Sequence, residues 1–332
     1  SATVSNAEEF GDWLHTVRGH TDVIVSEERP VPLHQHMIFS HKFLPLFAAK
    51  GELATVNPEV MQTAQMLGRG GSHRPKSRGA PRYQRYEDQR HKVYRSDVVE
   101  QLGDEDLLPA IFFIFSRKGC DQAVGQVLRR GVTLTEEYER DQILDLVEER
   151  CDRLDDDDRN VLGYHEWLDG ILRGVAAHHA GMLPMFKEVV EELFRRKLLK
   201  VVFATETLAL GINMPARTVV LEKLDKFNGE ARVPITAGEY TQLTGRAGRR
   251  GIDSEGHSVV IWQPGINPEA VAALASRRSY PLKSSFSPTY NMAVNLIAQF
   301  GVVRTRSILE SSFAQFQADR HVVELARSVR KN

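Results

Sequence analysis

Pro109-Ala110-Ile111-Phe112-Phe113-Ile114-Phe115 is an unbroken apolar run, too short for a helix and closed by the polar pair Ser116-Arg117. A run of this length, rich in Ile and Phe and without polar alternation, is what a strand buried on both faces requires. Residues 120–129 follow with helical character, so the two segments make one βα unit. The texture repeats along the chain. Short apolar runs at 175–177, 200–204, 218–221 and 257–262 predict further strands, with helices predicted at 184–197 and 238–247. In 184–197, Phe186, Val189, Val190, Leu193 and Phe194 share one helical face, and Pro184 stands in the first turn, where its missing N–H is harmless. Repeated βα units predict an α/β fold, a parallel sheet with helices on both faces.

Outward from this block the texture changes. Residues 136–173 are polar and helix-rich, and Asp155-Asp156-Asp157-Asp158 within them suits a helix start or exposed face, since four adjacent carboxylates rarely converge on one ion. From residue 267 onward everything is expected to be helical, including 290–300 and 306–316, so a separate helical unit should begin there. Residues 68–95 are dominated by Gly, Pro, Ser and Arg, with nine Lys or Arg against two acids and no hydrophobic period, which predicts a linker or insertion. Tyr83, Tyr86 and Tyr94 interleave there with Arg82, Arg85, Arg90 and Arg95. That mixture suits a solvated linker, or a segment that stacks on bases and neutralises phosphates.

A chain of 332 residues with 42% hydrophobic content can bury a sizeable core and divide into more than one unit, which excludes disorder throughout. Its 43 Lys and Arg nearly cancel 44 Asp and Glu, so a nucleic-acid partner has to be argued from local charge. The longest apolar stretch, 107–115, falls far below the ~20 residues that span a bilayer, which predicts a soluble protein with no membrane segment. Cys120 and Cys151 stand alone, without Cys or His at metal-ligand spacing; a reducing, cytoplasmic setting is expected, with no disulfide framework and no metal site. The opening residues carry neither an initiator Met nor the basic and apolar regions of a signal peptide, so the chain is expected to be a fragment.

The segment richest in chemistry is Gln242-Leu243-Thr244-Gly245-Arg246-Ala247-Gly248-Arg249-Arg250-Gly251. If the helix continued through it, Gln242, Arg246 and Arg249 at i, i+4 and i+7 would point the same way. Gly245 and Gly248 would cost such a helix roughly 1 kcal/mol each relative to Ala, so close backbone approach explains them better than helix stability. Arginine's planar, permanently charged fork suits a phosphoryl group that gains charge on its outer oxygens during transfer. Both arginines are therefore finger candidates. A disordered Arg/Gly tract is the alternative, and the apolar Tyr240, Leu243 and the following strand count against it. Thr205 follows the 200–204 strand directly, where its hydroxyl and nearby N–H groups suit helix capping or phosphate contact. Ser116 and Arg117 stand at a strand's carboxyl end, where open α/β sheets place ligands. His178 and His179, taken alone, are ordinary core or surface histidines.

These segments resemble, in order, the motifs of superfamily 2 helicases, and in detail those of the superkiller-like (Ski-like) DExH branch. Gln-x-x-Gly-Arg-x-Gly-Arg is the form of that family's last motor motif. Ser1-Ala2-Thr3 is similar to the motif coupling ATP turnover to strand separation, and Phe115-Ser116-Arg117 to the one opening the second RecA-like domain. His178-His179-Ala180-Gly181-Met182-Leu183-Pro184 resembles a nucleic-acid-contacting segment. The run from Ala204-Thr205-Glu206 through Gly211-Ile212-Asn213-Met214-Pro215 resembles the fifth motif. Tyr290-Asn291-Met292 and Ser311-Ser312-Phe313-Ala314-Gln315-Phe316-Gln317 look like the start of its winged-helix domain.

What the resemblance implies is specific. Gln242, Arg246 and Arg249 would serve catalysis. Gly211, Asn213, Gly245 and Gly248 would face ATP, with Asn213 standing where many helicases have Asp. Ser116, Arg117, His179, Gly181 and Thr205 would grip a single-stranded nucleic acid, RNA favoured over DNA. No Gly-x-x-x-x-Gly-Lys-Ser/Thr loop occurs, and the only Asp-Glu pair, Asp104-Glu105, continues as Asp106-Leu107. Phosphate and Mg²⁺ ligands are thus expected in a first RecA-like domain, a partner missing from this sequence, and the chain alone should not hydrolyse ATP. The expected division is residues 1–45 as the tail of that first domain, 46–106 as a linker with a basic insertion, 107–265 as the second RecA-like domain, and 266–332 as the start of a winged-helix domain. The rival reading is a non-catalytic nucleic-acid-binding module that keeps the helicase shape. An unrelated α/β interaction domain would not carry the motifs in this order.

Overall fold

The structure, a computed structural model, describes residues 6–26, 29–40, 42–49, 52–69, 93–211, 214–227, 229–276 and 281–329. They fall into two compact units, residues 29–277 and residues 1–28 together with 278–332.

The larger unit contains eleven strands among its described residues: β1 (Leu33–Phe39), β2 (Lys42–Pro45), β3 (Phe47–Ala49), β4 (Glu52–Val56), β5 (Ala110–Phe113), β6 (Val175–His178), β7 (Val201–Ala204), β8 (Thr218–Leu221), β9 (Asp225–Phe227), β10 (Arg232–Pro234) and β11 (Gly256–Ile261). Seven form one sheet in the order β2-β1-β11-β8-β5-β7-β6, parallel throughout except where β2 runs antiparallel to β1. β5, β6, β7, β8 and β11 are buried at every residue, as their unbroken apolar texture requires. One core lies on each face. The helices Glu137–Cys151, Tyr164–Leu172, Pro184–Arg195 and Ala237–Thr244 cover the first through Ile143, Ile171, Val190 and Tyr240. Arg95–Asp104 and Arg117–Arg129 cover the second through Val98, Leu102, Cys120 and Ala123. This is the RecA-like arrangement.

Local chemistry explains the helix starts. Pro184 stands at the first position of its helix, and the residues buried there are the five that share a face in the sequence. Thr236 and Glu239 form a reciprocal capping box, and Asp155 accepts from the Asp158 N–H at 2.8 Å, so the acidic cluster is a helix start.

The chain divides elsewhere than at residues 45, 106 and 266. Residues 33–45, expected in a preceding domain, supply β1 and β2; Met37, Ile38 and Phe39 are essentially inaccessible, each burial stabilising by about 2 kcal/mol. Much of the expected linker is also core: Leu46 and Val60 join one apolar cluster, and Val98, Val99 and Leu102 the other. The helix Pro268–Ser276 buries Val271 and Ala272 in the larger unit, so the second unit resumes only beyond it. Residues 70–92, which hold most of the basic and aromatic insertion, lie outside the described residues. At its far end Arg95 makes a bidentate pair with Glu222 at 2.7 and 2.8 Å, and the Arg130 guanidinium lies 4.5 Å over the Tyr94 ring. Both residues are spent on packing.

In the smaller unit the helix Ala7–Arg18 meets the C-terminal helices. Phe10 and Trp13, one turn apart, close on Phe313 with ring centroids 5.3 and 5.2 Å away. The Asn6 side chain bonds both the N–H and the carbonyl of Leu282, at 2.6 and 3.0 Å. The long helix Tyr290–Glu310 breaks at Gly301, and residues 311–312 end it before Phe313–Val329 begins, so 306–316 is not one helix.

The seam between β1 and β11 carries an ionisable pair. His36 Nε2 faces His257 Nδ1 at 3.2 Å, and Glu255 holds His34 at 2.8 Å. Burial pushes His257 down to about 4, with Glu255 opposing and His34 and Arg217 assisting. A histidine kept neutral in the fold and free to protonate near 6.5 when unfolded stabilises fully above about pH 6.5, and that contribution is lost as pH falls toward 4. We expect His257 to account for about 3 kcal/mol of lost stability between pH 7 and pH 4. Urea midpoints of the wild type and His257→Gln across this range check it: the variant should lose less, and parallel losses would assign the titration elsewhere.

Candidate functional site

Two groups of the sequence-selected residues assemble at opposite edges of the sheet. At the carboxyl ends of β5, β6 and β7 lie Ser116, Arg117, His179, Gly181 and Thr205. Ser116 caps the helix Arg117–Arg129, its Oγ accepting from the Gly119 N–H at 3.1 Å, and both Ser116 and Arg117 are exposed. The Thr205 N–H donates to the His178 carbonyl at 3.2 Å, which ties the loop after β7 to the loop after β6. Thr205 is buried and its hydroxyl pairs with that of Thr207 at 2.9 Å. A Cβ on Gly181 would lie 3.4 Å from Cδ of Arg117, so the two share one surface.

The histidines stand behind that surface. His179 is buried, with Nε2 against Asp121 at 2.9 Å and Nδ1 accepting the Gly181 N–H at 3.1 Å. Both ring nitrogens are engaged within the fold, and the second of these bonds braces the Gly181 loop. His178 pairs with Glu191 at 2.8 Å; burial lowers its pKa against that partner's opposing pull.

The arginine segment lies at the amino-terminal edge, and it is not a continuous helix. Ala237–Thr244 ends where the Arg246 and Ala247 N–H groups tighten onto the Leu243 and Thr244 carbonyls, at 3.2 and 3.0 Å. Ala247 then bridges to Ala216, and Gly248 turns the chain at φ +87°. Gln242 is left exposed on the helix, and the i, i+4, i+7 alignment with Arg246 and Arg249 does not form. Of the two glycines, Gly248 marks a close approach to another segment, whereas Gly245 is exposed and a Cβ there would meet only the Thr241 and Gln242 backbone of its own turn. A Cβ on Gly248 would fall 2.7 Å from a Val31 methyl, and one on Gly256 would fall 2.6 Å from the Gly248 nitrogen.

Each arginine has its own anchor. Arg246 Nη2 donates to the carbonyl of Ala209, in the short helix Thr207–Gly211. Arg249 is clamped by Asp253, whose Oδ2 accepts from the Arg249 N–H and Nε, both at 2.8 Å, and whose Oδ1 accepts from Nη2 at 2.6 Å. Burial alone would raise the Asp253 carboxyl, but the Arg249 hydrogen bonds outweigh it and hold the group below its ordinary value. From the neighbouring strand entry, Arg29 donates to the Ala247 carbonyl at 2.7 Å. Asp121, Asp253 and Arg29 escaped the sequence reading. The i, i+4 spacing of Arg249 and Asp253 was the one visible signal, whereas Arg29 and Asp121 meet their partners across the fold. Ser1, Ala2, Thr3 and Asn213 lie outside the described residues. Among the described residues no group of three or more His, Cys, Asp or Glu is placed to hold a metal ion, and no helix is long and apolar enough to cross a membrane.

The family described as helicase conserved C-terminal domain matches residues 150–251. Probable helicase HelY of Mycobacterium tuberculosis is 55% identical over 339 residues, covering all of this chain and 37% of its own length. DExH-box ATP-dependent RNA helicase DExH15, chloroplastic, of Arabidopsis thaliana is 36% identical over all of this chain and 30% of its own length. Exosome RNA helicase MTR4 of Homo sapiens is 33% identical over all of this chain and 31% of its length. The chain thus spans about a third of the length of these relatives.

The tight seat of the arginine loop has a measurable consequence. Gly256→Ala drives a methyl into backbone atoms of Ala247 and Gly248 and should lower stability by about 3 kcal/mol. Gly251→Ala meets nothing within 4 Å and bears only the strain of φ +76°, about 1 kcal/mol. Equal urea midpoints for the two variants would show that the loop does not press on the strand.

Proposed function

Starting from a chain that belongs to the Ski-like branch of the superfamily 2 helicases, we propose that it forms the arginine-supplying, strand-gripping half of an ATP-dependent RNA helicase motor. The observation that carries this reading is the pair of sites at opposite edges of one sheet, approached from one side by residues 204–211 and from the other by residues 214–217. The first segment leaves β7 beside His178 and meets the arginine loop through Ala209, and the second meets it through Ala216.

At the amino-terminal edge the residues suit a triphosphate. Asp253 occupies the Nε–Nη2 side of the Arg249 guanidinium, and the Nη1–Nη2 end is the second bidentate face that a phosphoryl group takes. Arg246 stands on the same loop, and Gly248 lets the loop backbone seat closely against Val31 and Gly256. Mg²⁺-bound ATP supplies the transferring phosphoryl group, cradled by a phosphate-loop RecA-like domain across the cleft. Arg249 and Arg246 stabilise the charge that builds on that group, preorganised so that little rearrangement is needed in the transition state. At the carboxyl edge Arg117 neutralises a backbone phosphate, with the exposed Ser116 beside it. RNA is the proposed strand because DExH15 and MTR4 are named as RNA helicases.

The chain alone should show no ATP hydrolysis, because finger arginines without a phosphate cradle cannot assemble the transition state. Joined to a phosphate-loop RecA-like domain, Arg249→Ala should lower turnover about 10³-fold at saturating RNA with ATP affinity little changed. Arg250→Ala, at an exposed neighbour, should lose far less. Equal, small losses at both positions would remove the finger assignment and leave the loop structural. Arg117→Ala should weaken single-strand binding and reduce its salt slope by about 1, a change that filter binding at several salt concentrations reads directly.

A further inference from the structure

Asp253 does more to Arg249 than an ion pair requires. It accepts three hydrogen bonds from that one residue: the backbone N–H and Nε at 2.8 Å and Nη2 at 2.6 Å. The intervening turn closes around them, since the Ile252 and Asp253 N–H groups return to the Arg249 carbonyl at 3.1 and 2.9 Å. The carboxylate side chain is 4% exposed and the arginine side chain 12%, so the clamp sits largely out of water. A partner that only neutralised charge would have no use for the backbone N–H. Holding backbone and guanidinium together removes the rotamer freedom that a long side chain otherwise loses on meeting its target.

We infer that Asp253 is a positioning residue for phosphoryl transfer: it fixes the Nε–Nη2 side of Arg249 before ATP arrives and leaves the Nη1–Nη2 end for the phosphoryl group. The inference rests on the arginine-finger reading of Arg249. It separates Asp253 from a carboxylate that stows the arginine away from ATP, which would have to let go for turnover to begin. Arg29, bonded to the Ala247 carbonyl at 2.7 Å, holds the approach to the same loop.

A double-mutant cycle tests it, with the chain joined to a phosphate-loop RecA-like domain and ATP turnover measured at saturating RNA. Asp253→Asn should lower kcat roughly 10²-fold, the scale of a misplaced catalytic group, with KM for ATP and RNA affinity unchanged. Arg249→Ala should lose more, and the double variant should be no slower than Arg249→Ala alone, because Asp253 acts only through that side chain. A double variant slowed by the product of the two single effects would overturn the inference and leave Asp253 a structural residue. Faster turnover in Asp253→Asn would overturn it in favour of the stowing role. If Arg249→Ala itself kept full turnover, the finger reading would fall first and the inference with it, an outcome distinct from the other two. The chain by itself gives an independent check by nuclear magnetic resonance. The Arg249 Nε–H should exchange slowly with solvent in the wild type and rapidly in Asp253→Asn, and rapid exchange in the wild type would overturn the clamp.

Discussion

The contact on which the site depends is backbone against backbone. Gly248 and Gly256 approach so closely that neither tolerates a side chain, and Val31 fills the remaining space. Because of that approach the Gly248 N–H reaches the Ala216 carbonyl at 2.8 Å and the Gly256 N–H reaches the Pro32 carbonyl at 2.8 Å. One stitch places the arginine loop on the sheet, and the other aligns β1 with β11. The glycines contribute almost nothing by their own packing. They are needed because three chain segments meet where only bare backbone fits.

From this seam the two candidate sites acquire a mechanical relation. Residues 204–211 leave the carboxyl end of β7, anchored by the His178 carbonyl, and residues 214–217 lead to the entry of β8, anchored by the Ala247 bridge. Lys226 reinforces the first end, reaching Glu206 at 2.8 Å and Glu239 at 2.7 Å; burial opposes its charge, yet the two carboxylates raise its pKa overall. Under the proposed function, a shift of the arginine loop on phosphoryl loss would be felt at Thr205 through chain already pinned at both ends. The buried sheet between them is too densely packed to absorb such a shift by itself.

Buried polar groups serve this geometry. Tyr240 is inaccessible, its hydroxyl bonded to Gln35 at 2.7 Å, and burial pushes its pKa up to about 12. The Tyr240 pin ties the helix leading to the arginines to β1. Cys120, likewise pushed up to about 12 by burial, is a core residue. His179 belongs in the same group: its ring sets the Gly181 turn from behind.

The residues by themselves determined the parts of this protein that depend on local period and on residue chemistry. Short, unbroken Ile, Val and Phe runs match two-sided strands, and the face shared by Phe186, Val190 and Leu193 matches a helix on a core. Gly248 among arginines already signalled close approach. The tertiary structure alone decided what depends on distant partners. β1 joined the sheet because its register against β11 buries Met37 and Phe39, a pairing more than 200 residues apart that no local period can report. The helix before the arginines stopped at Thr244 because Ala247 found Ala216, so Arg246 and Arg249 left the common face that helical spacing predicts. Arg95 went to Glu222, and His179 to Asp121 and Gly181, since a buried charge or ring nitrogen takes the partner that the fold places within reach.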